Sequence, residues 1–268
     1  SAAMITSFYG QTAQPPFSTD PGTLNSWLRD PLNKGYNPGN GVVYSQVLRY
    51  ATQNEVTLTL PEIGKRNDVK LDQALCSGAP TMLMVNSGGH YVVATGKVNV
   101  NGQWTYTLND PKFGYATLGE SYNNQYDKAY YYQLGSDDTN RSMLEISAHS
   151  PVHLLITDPQ GRKVGYDPRS GTTWDEIPQS GYVIDAILST TGALPEEKFV
   201  IIPLPLDGIY QVEVIGYETG DYTINTHLTS QTGQITTSSY SGQAGPNSSR
   251  VILLPINMKS VYLPMLLH

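Results

Sequence analysis

Helical periodicity ends at one place in this chain and does not return. Up to the polar stretch Gly135-Ser136-Asp137-Asp138-Thr139-Asn140, apolar residues fall at both helical and strand spacings; beyond it they fall only in short runs cut by Gly, Pro, Asp and Ser. A polar break between two differently patterned halves reads as a linker. The expectation is two domains, residues 1–135 and 141–268. Hydrophobic residues make up 39% of the 268 and charged residues 15%, enough apolar mass for packed cores and too little charge for a disordered chain. The 19 tyrosines, 25 glycines and 18 prolines favour strands and turns over long helices.

The first half opens on a predicted helix over residues 1–10, with Ile5, Phe8 and Tyr9 on one face and Gly10 as its stop. This helix has no start signal of its own and begins at Ser1, as though cut. Leu24, Trp27 and Leu28 take helical spacing, with Thr19 or Asp20 placed to cap. Residues 43–50 and 68–77 read as helices, the second closed by Gly78 in a left-handed cap. Residues 56–60 alternate and read as a strand, as do 81–85, 91–96, 104–108 and 129–134, with Asn101-Gly102 as a two-residue hairpin signal. Helices followed by an antiparallel sheet make an α+β domain.

In the second half, strands are predicted over 143–148, 152–157, 163–166, 198–202, 209–215, 221–227 and 251–256, a rhythm that reads as an all-β sandwich. The apolar tail 251–267 is interrupted by Pro255, Asn257, Lys259 and Pro264, and reads as a buried strand pair and not as a membrane span. The net charge is −7 and no basic run occurs. That excludes nucleic acid as a partner and argues against an anionic membrane surface. No membrane insertion is expected. No leader pattern opens the chain, and the single cysteine, Cys76, rules out an internal disulfide.

The chemistry-bearing string runs Gly88-Gly89-His90-Tyr91-Val92-Val93 and, past the hairpin, Leu108-Asn109-Asp110-Pro111. One strand delivers a histidine to the rim of a sheet; the returning strand delivers Asn109-Asp110 to the same rim. A carboxylate beside an imidazole fixes its tautomer and stabilises its protonated form, which is how a base is prepared to activate a nucleophile. Register poses a problem. With Val100 opposite Gln103, an unbroken ladder sets His90 across from Phe113, so Asp110 reaches His90 only through a bulge or a different turn.

In order along the chain, Asp20-Pro21-Gly22-Thr23-Leu24-Asn25-Ser26-Trp27-Leu28, Gly35-Tyr36, Gly78-Ala79-Pro80, the Gly-Gly-His string at 88–93, Asn109-Asp110-Pro111, Phe113-Gly114 and Leu118 resemble the peptidase C39-like family, papain-like cysteine peptidases of bacteria. The resemblance covers residues 1–134. It implies an α+β papain-like domain, His90 as general base, Asp110 as its orienting partner with Asn109 as the alternative, a peptide or protein substrate, and no cofactor. It also implies a nucleophilic cysteine at the start of the first helix, in a Gly-Cys-x-x-Thr-Ser-like segment a few residues before Ser1, together with the upstream oxyanion-hole donor. The chain as it stands lacks that nucleophile and is expected to be inactive. The alternative is a non-catalytic peptide- or cell-surface-binding module of papain-like shape.

Cys76 is a poor substitute. It falls near the C-terminal end of its predicted helix, where the dipole disfavours a thiolate, and is expected as a small buried apolar residue. In the second half, Leu206-Asp207-Gly208-Ile209-Tyr210 and Gly220-Asp221-Tyr222-Thr223-Ile224 resemble sandwich modules appended to secreted bacterial peptidases, which implies an accessory role and a secreted or cell-surface location. The acidic turns at Asp158-Pro159-Gln160-Gly161-Arg162, Asp167-Pro168-Arg169 and Asp175-Glu176 carry Ca²⁺-compatible oxygens without a complete loop pattern, and read as solvated hairpin turns. His149 and His153 read as sheet positions.

Overall fold

The computed structural model describes residues 1–258 apart from 38–40, 87–88, 137, 150, 186–187, 190–191, 194–196 and 232. The chain divides into two compact units, residues 1–139 with 184–194, and residues 140–183 with 195 onward.

The first unit contains α1 (Ala2–Gly10), α2 (Pro21–Arg29), α3 (Tyr44–Gln53), β1 (Glu62–Lys65), α4 (Asp68–Cys76), β2 (Thr81–Val85), β3 (His90–Val100), β4 (Gln103–Asp110), β5 (Gly114–Thr117), α5 (Leu118–Tyr122) and β6 (Lys128–Tyr131). Its strands form one antiparallel sheet in the order β1-β6-β2-β3-β4-β5. Local chemistry sets the boundaries. Asp20 caps α2 by accepting the Gly22 and Thr23 N–H groups, and Pro21 opens the helix where no N–H is needed. Gly78, at φ +78°, turns the chain out of α4. Asn101 and Gly102 both hold positive φ, as a two-residue hairpin turn requires, and set Val100 opposite Gln103.

β2 is buried along its whole length, which explains its unbroken apolar run. A core of Leu71 from α4, Leu83 and Val85 from β2, Val92 and Ala94 from β3, and Leu108 from β4 forms under the sheet, joined by Leu118 and Tyr122 of α5. The three N-terminal helices pack through Ala3, Leu24, Leu28, Val47 and Tyr50. The Tyr9 hydroxyl donates to the Tyr132 carbonyl at 2.7 Å and ties α1 to the chain leaving β6.

The expected α+β papain-like domain of N-terminal helices is corrected. The structure is mostly β, 46% strand against 18% helix, and its sheets are antiparallel. The physical reason is that helices here stop early: none of those described exceeds ten residues. Strand β1 also interrupts the helical series. Residues 56–60 are not a ladder strand. Leu58 makes a single bridge to Leu134, and regular pairing starts at Glu62, beyond Pro61, which has no N–H to offer.

The second unit contains β7 (Met143–His149), β8 (Val152–Thr157), β9 (Lys163–Asp167), β10 (Thr172–Asp175), most of β11 (Gly181–Asp185), β14 (Glu197–Pro203), β15 (Gly208–Gly216), β16 (Gly220–Thr229), β17 (Ile235–Ala244) and β18 (Ser249–Ile256); the two-residue strands β12 (Leu188–Ser189) and β13 (Gly192–Ala193), which follow β11 in the chain and pair with each other, fall in residues 184–194 of the first unit. Two five-stranded sheets, β10-β9-β8-β15-β18 and β11-β14-β7-β16-β17, make a sandwich-like fold. Leu144, Ile146 and Ala148 of one sheet and Leu154, Ile156, Val212 and Val214 of the other are buried. β17 was not expected, because its Thr-Thr-Ser-Ser run carries no apolar signal; it is an exposed edge strand. The tail is corrected as well. β18 alternates, with Val251 and Leu253 exposed and Ile252 and Leu254 buried, and residues 259–268 lie outside the described residues. Among the described residues no helix is long and apolar enough to cross a membrane.

Leu83 is fully buried at the centre of the first sheet. Leu83→Ala is expected to lower unfolding free energy by about 2–5 kcal/mol through lost transfer energy and a residual cavity. Denaturant titration checks this through the midpoint, with the slope unchanged.

Candidate active site

His90 opens β3, and its register with β2 sets Val85 opposite it. The turn before it is tight: Asn86 takes φ +55° and its carbonyl accepts the Gly89 N–H at 3.1 Å. Asp110 ends β4, and Pro111 has no N–H to continue the ladder.

One residue solves the register problem. The ladder is regular from Val100↔Gln103 to Gly96↔Thr107, slips at Thr95, and resumes with Ala94↔Leu108 and Val93↔Asn109. The next position sets Asp110 across from Val92. Side chains alternate along a strand, so Val92 shares a face with His90, and the bulge has moved Asp110 onto that face. In an unbroken ladder Asp110 would lie across from Val93 and point away from the histidine.

His90 Nε2 and Asp110 Oδ1 are 2.8 Å apart. The same Oδ1 accepts the Lys112 N–H at 2.7 Å and the Phe113 N–H at 3.3 Å, and Oδ2 accepts a short hydrogen bond from the Tyr122 hydroxyl. The Asp110 side chain is fully buried, while that of His90 keeps 23% of its surface exposed. Burial pushes the Asp110 carboxyl up, but the Tyr122 hydroxyl, the His90 ring and the Lys112 amide outweigh it and hold the carboxyl below its ordinary range. Burial and the adjacent carboxylate push the Tyr122 hydroxyl well above its ordinary value. An ionised Asp110 can only accept, so Nε2 carries the proton and donates it to Oδ1, which leaves Nδ1 of the neutral ring as its acceptor nitrogen.

The N-terminal end of α1 reaches the same place. Ser1 heads the helix, and its Oγ donates to the carbonyl of Tyr91, the neighbour of His90, at 2.5 Å.

Asn109 is not brought to His90. It is exposed, pairs with Val93 and Tyr115, and points to the opposite face from Asp110. Cys76, expected as buried, is exposed at the last residue of α4. The acidic turns of the second unit are occupied by their own groups. Asp158 accepts the Gln160 and Arg162 N–H groups and pairs with the Arg162 guanidinium, Asp167 pairs with Arg169, and Glu176 accepts the Lys163 N–H. Among the described residues no group of three metal-ligating side chains converges. His153 packs between the rings of Tyr166 and Tyr217 at 4.8 and 4.9 Å. His149 lies 3.0 Å from the buried Glu197, but without hydrogen-bond alignment, and among the described residues Glu197 has no other partner. Of the histidine–carboxylate pairs among the described residues, the His90–Asp110 pair has its carboxylate held by further donors, whereas Glu197 beside His149 does not.

Tyr122, whose hydroxyl donates to Asp110, is the side chain of this site that sequence reading missed. Its helix did carry a signal. Thr117-Leu118-Gly119-Glu120 is a capping box, in which the Thr117 Oγ1 accepts the Glu120 N–H at 3.2 Å and donates to the Glu120 carboxylate at 2.8 Å.

Asp110→Asn is expected to cost about 1–3 kcal/mol at neutral pH, because the amide cannot accept as the carboxylate does. The folded carboxyl titrates below the ordinary value of 3.8, so the ionised group stabilises the fold fully above that value and loses its effect as pH falls through the lower folded value. The stability gap between wild type and variant should therefore close only under acid. Urea titrations at pH 7, pH 4 and below pH 3 check it; a gap that is constant across all three refutes the assignment. No family model, curated protein or solved structure matches this chain.

Proposed function

We propose that this chain carries the base and orienting acid of a cysteine peptidase that resembles the C39-like family, with the nucleophilic cysteine preceding Ser1. The observation that carries this reading is the buried, ionised Asp110 fixing His90 beside the N-terminal end of α1. A helix N-terminus favours a thiolate, and an imidazolium nearby favours it further. The thiolate attacks the scissile carbonyl carbon, and His90 Nδ1 passes its proton to the leaving amine. Water then attacks the acyl-enzyme with His90 as base, which releases the acid and restores the thiol. Asp110 stays ionised throughout. The substrate on this reading is a peptide or protein. The sandwich-like second unit, with its resemblance to modules of secreted bacterial peptidases, supports a place outside the cell and an accessory role.

A second reading is a peptide- or surface-binding module without hydrolysis. It is favoured by the position of Cys76, the one cysteine in the sequence, at the C-terminal end of α4 instead of beside His90.

The test uses the longer protein that includes the segment before Ser1, in a Cys76→Ser background, because exposed Cys76 reacts with alkylators on its own account. Iodoacetamide is expected to modify one upstream cysteine rapidly, with His90→Ala slowing modification and cutting peptide hydrolysis by about 10²–10⁴-fold. Modification indifferent to His90, with no hydrolysis in either protein, sinks the peptidase reading in favour of the binding module.

A further inference from the structure

The turn that holds Asp110 also presents two side chains that the dyad does not use. Phe113 is 54% exposed, unusual for a phenyl ring whose backbone is so firmly placed. Its N–H is bound by Asp110 Oδ1, and the following Gly114, at φ +74°, turns the chain back into β5 opposite Asp110. Its ring lies 6.5 Å from that of Tyr122, which in turn lies 6.2 Å from the His90 imidazole. The carboxylate that orients the histidine thus also orients an exposed aromatic surface, a few residues of extended peptide away from the base at about 3.3–3.6 Å per residue.

Lys112 adds a charge. Its backbone N–H is the closest amide on Asp110, and its ammonium sits 4.9 Å from the centre of the Phe113 ring. Among the described residues no carboxylate pairs with this ammonium. In a protein of net charge −7, an unpaired cation over an exposed ring beside a reactive pair is a local reversal of sign.

We propose that Phe113 and Lys112 form the peptide side-chain subsite of the dyad, selecting an aromatic or branched aliphatic residue followed by an acidic one. The subsite rests on the reading of a peptide as the ligand of this site and extends it to a substrate class. The ring supplies apolar area that is open to solvent in the free protein, and a ligand side chain that covers it removes that area from water. The ammonium supplies a point charge to a carboxylate on the adjoining residue. Phe113 and Lys112 position the chain and set specificity; neither touches the reacting proton.

Binding tests this without requiring catalysis. The 268-residue chain is titrated by ¹H–¹⁵N NMR with three acetylated, amidated tetrapeptides: Gly-Phe-Glu-Gly, Gly-Ser-Glu-Gly and Gly-Phe-Gln-Gly. The first is expected to shift the Lys112, Phe113 and Gly114 amides saturably and to bind about 10-fold more tightly than the serine peptide, the discrimination an apolar contact of this size gives. Phe113→Ser should abolish the preference for Phe over Ser, and Lys112→Gln should abolish the preference for Glu over Gln together with its salt dependence. Both side chains are exposed, so both variants retain the fold, which the unchanged spectrum elsewhere verifies. Equal binding of the three peptides, preferences that survive the substitutions, or no saturable shift at residues 112–114 each overturn the subsite. A Phe113-dependent preference in a protein whose upstream cysteine is indifferent to His90 keeps the subsite and removes the peptidase. His90-dependent hydrolysis with no such preference keeps the peptidase and removes the subsite.

Discussion

A buried carboxylate is costly unless its oxygens are filled, and Asp110 has four donors to fill them. Two are amides of its own turn, one is the hydroxyl of Tyr122 from α5, and one is the imidazole of His90 from β3. The ion therefore joins the ends of two strands and a helix at one point. Burial alone would drive the carboxyl toward its neutral form; the donors outweigh that and hold it below its ordinary range. The anion pairs with the imidazole, adds to burial in raising the Tyr122 hydroxyl, and accepts the Lys112 and Phe113 amides of the turn on which Phe113 is exposed.

The arrangement depends on a single extra residue in β3. A two-residue turn at Asn101-Gly102 fixes the far end of the hairpin, and strand geometry then dictates which residues face which. Left to itself, that register would aim Asp110 away from His90. The bulge at Thr95 restores parity within the strand, so the site's geometry is decided some distance from its chemistry. The bulged residue sits between Ala94, fully buried, and Gly96, which has no side chain to place. A glycine at the slip tolerates the local bend that a bulge imposes.

Much of this was legible in the residues themselves. The Gly-Gly-His-Tyr-Val-Val string and Asn-Asp-Pro carry the two partners at the ends of adjacent strands, and the need for a bulge could be stated from the hairpin register alone. Its position could not, since a bulge reflects packing on both faces of the sheet and leaves no periodicity of its own. The fold class was misjudged because short helices of nine or ten residues give clear local signals, whereas polar strands such as β17 and four-residue strands such as β5 give almost none. Cys76 shows the same limit. Cysteine is usually buried, but this one ends an amphipathic helix whose inward positions are already taken by Leu71, Ala74 and Leu75.

Structure and chemistry can be separated at this site, because the four donors are not equivalent. The two turn amides and Tyr122 would satisfy Asp110 largely without help: the amides are fixed by the backbone, and the hydroxyl is supplied by a helix with its own capping box. His90 is different. It sits at the strand's first residue, keeps part of its ring in solvent, and meets the core through the ring of Tyr122. A histidine there is not needed to bury the acid, since the acid is already solvated by the protein. What the pairing does require is the reverse: a buried, fixed anion is what a half-exposed imidazole needs to hold one tautomer and to carry a proton in transit. The dependence therefore runs from His90 to Asp110: the acid keeps three donors without the histidine, whereas the histidine is oriented by the acid.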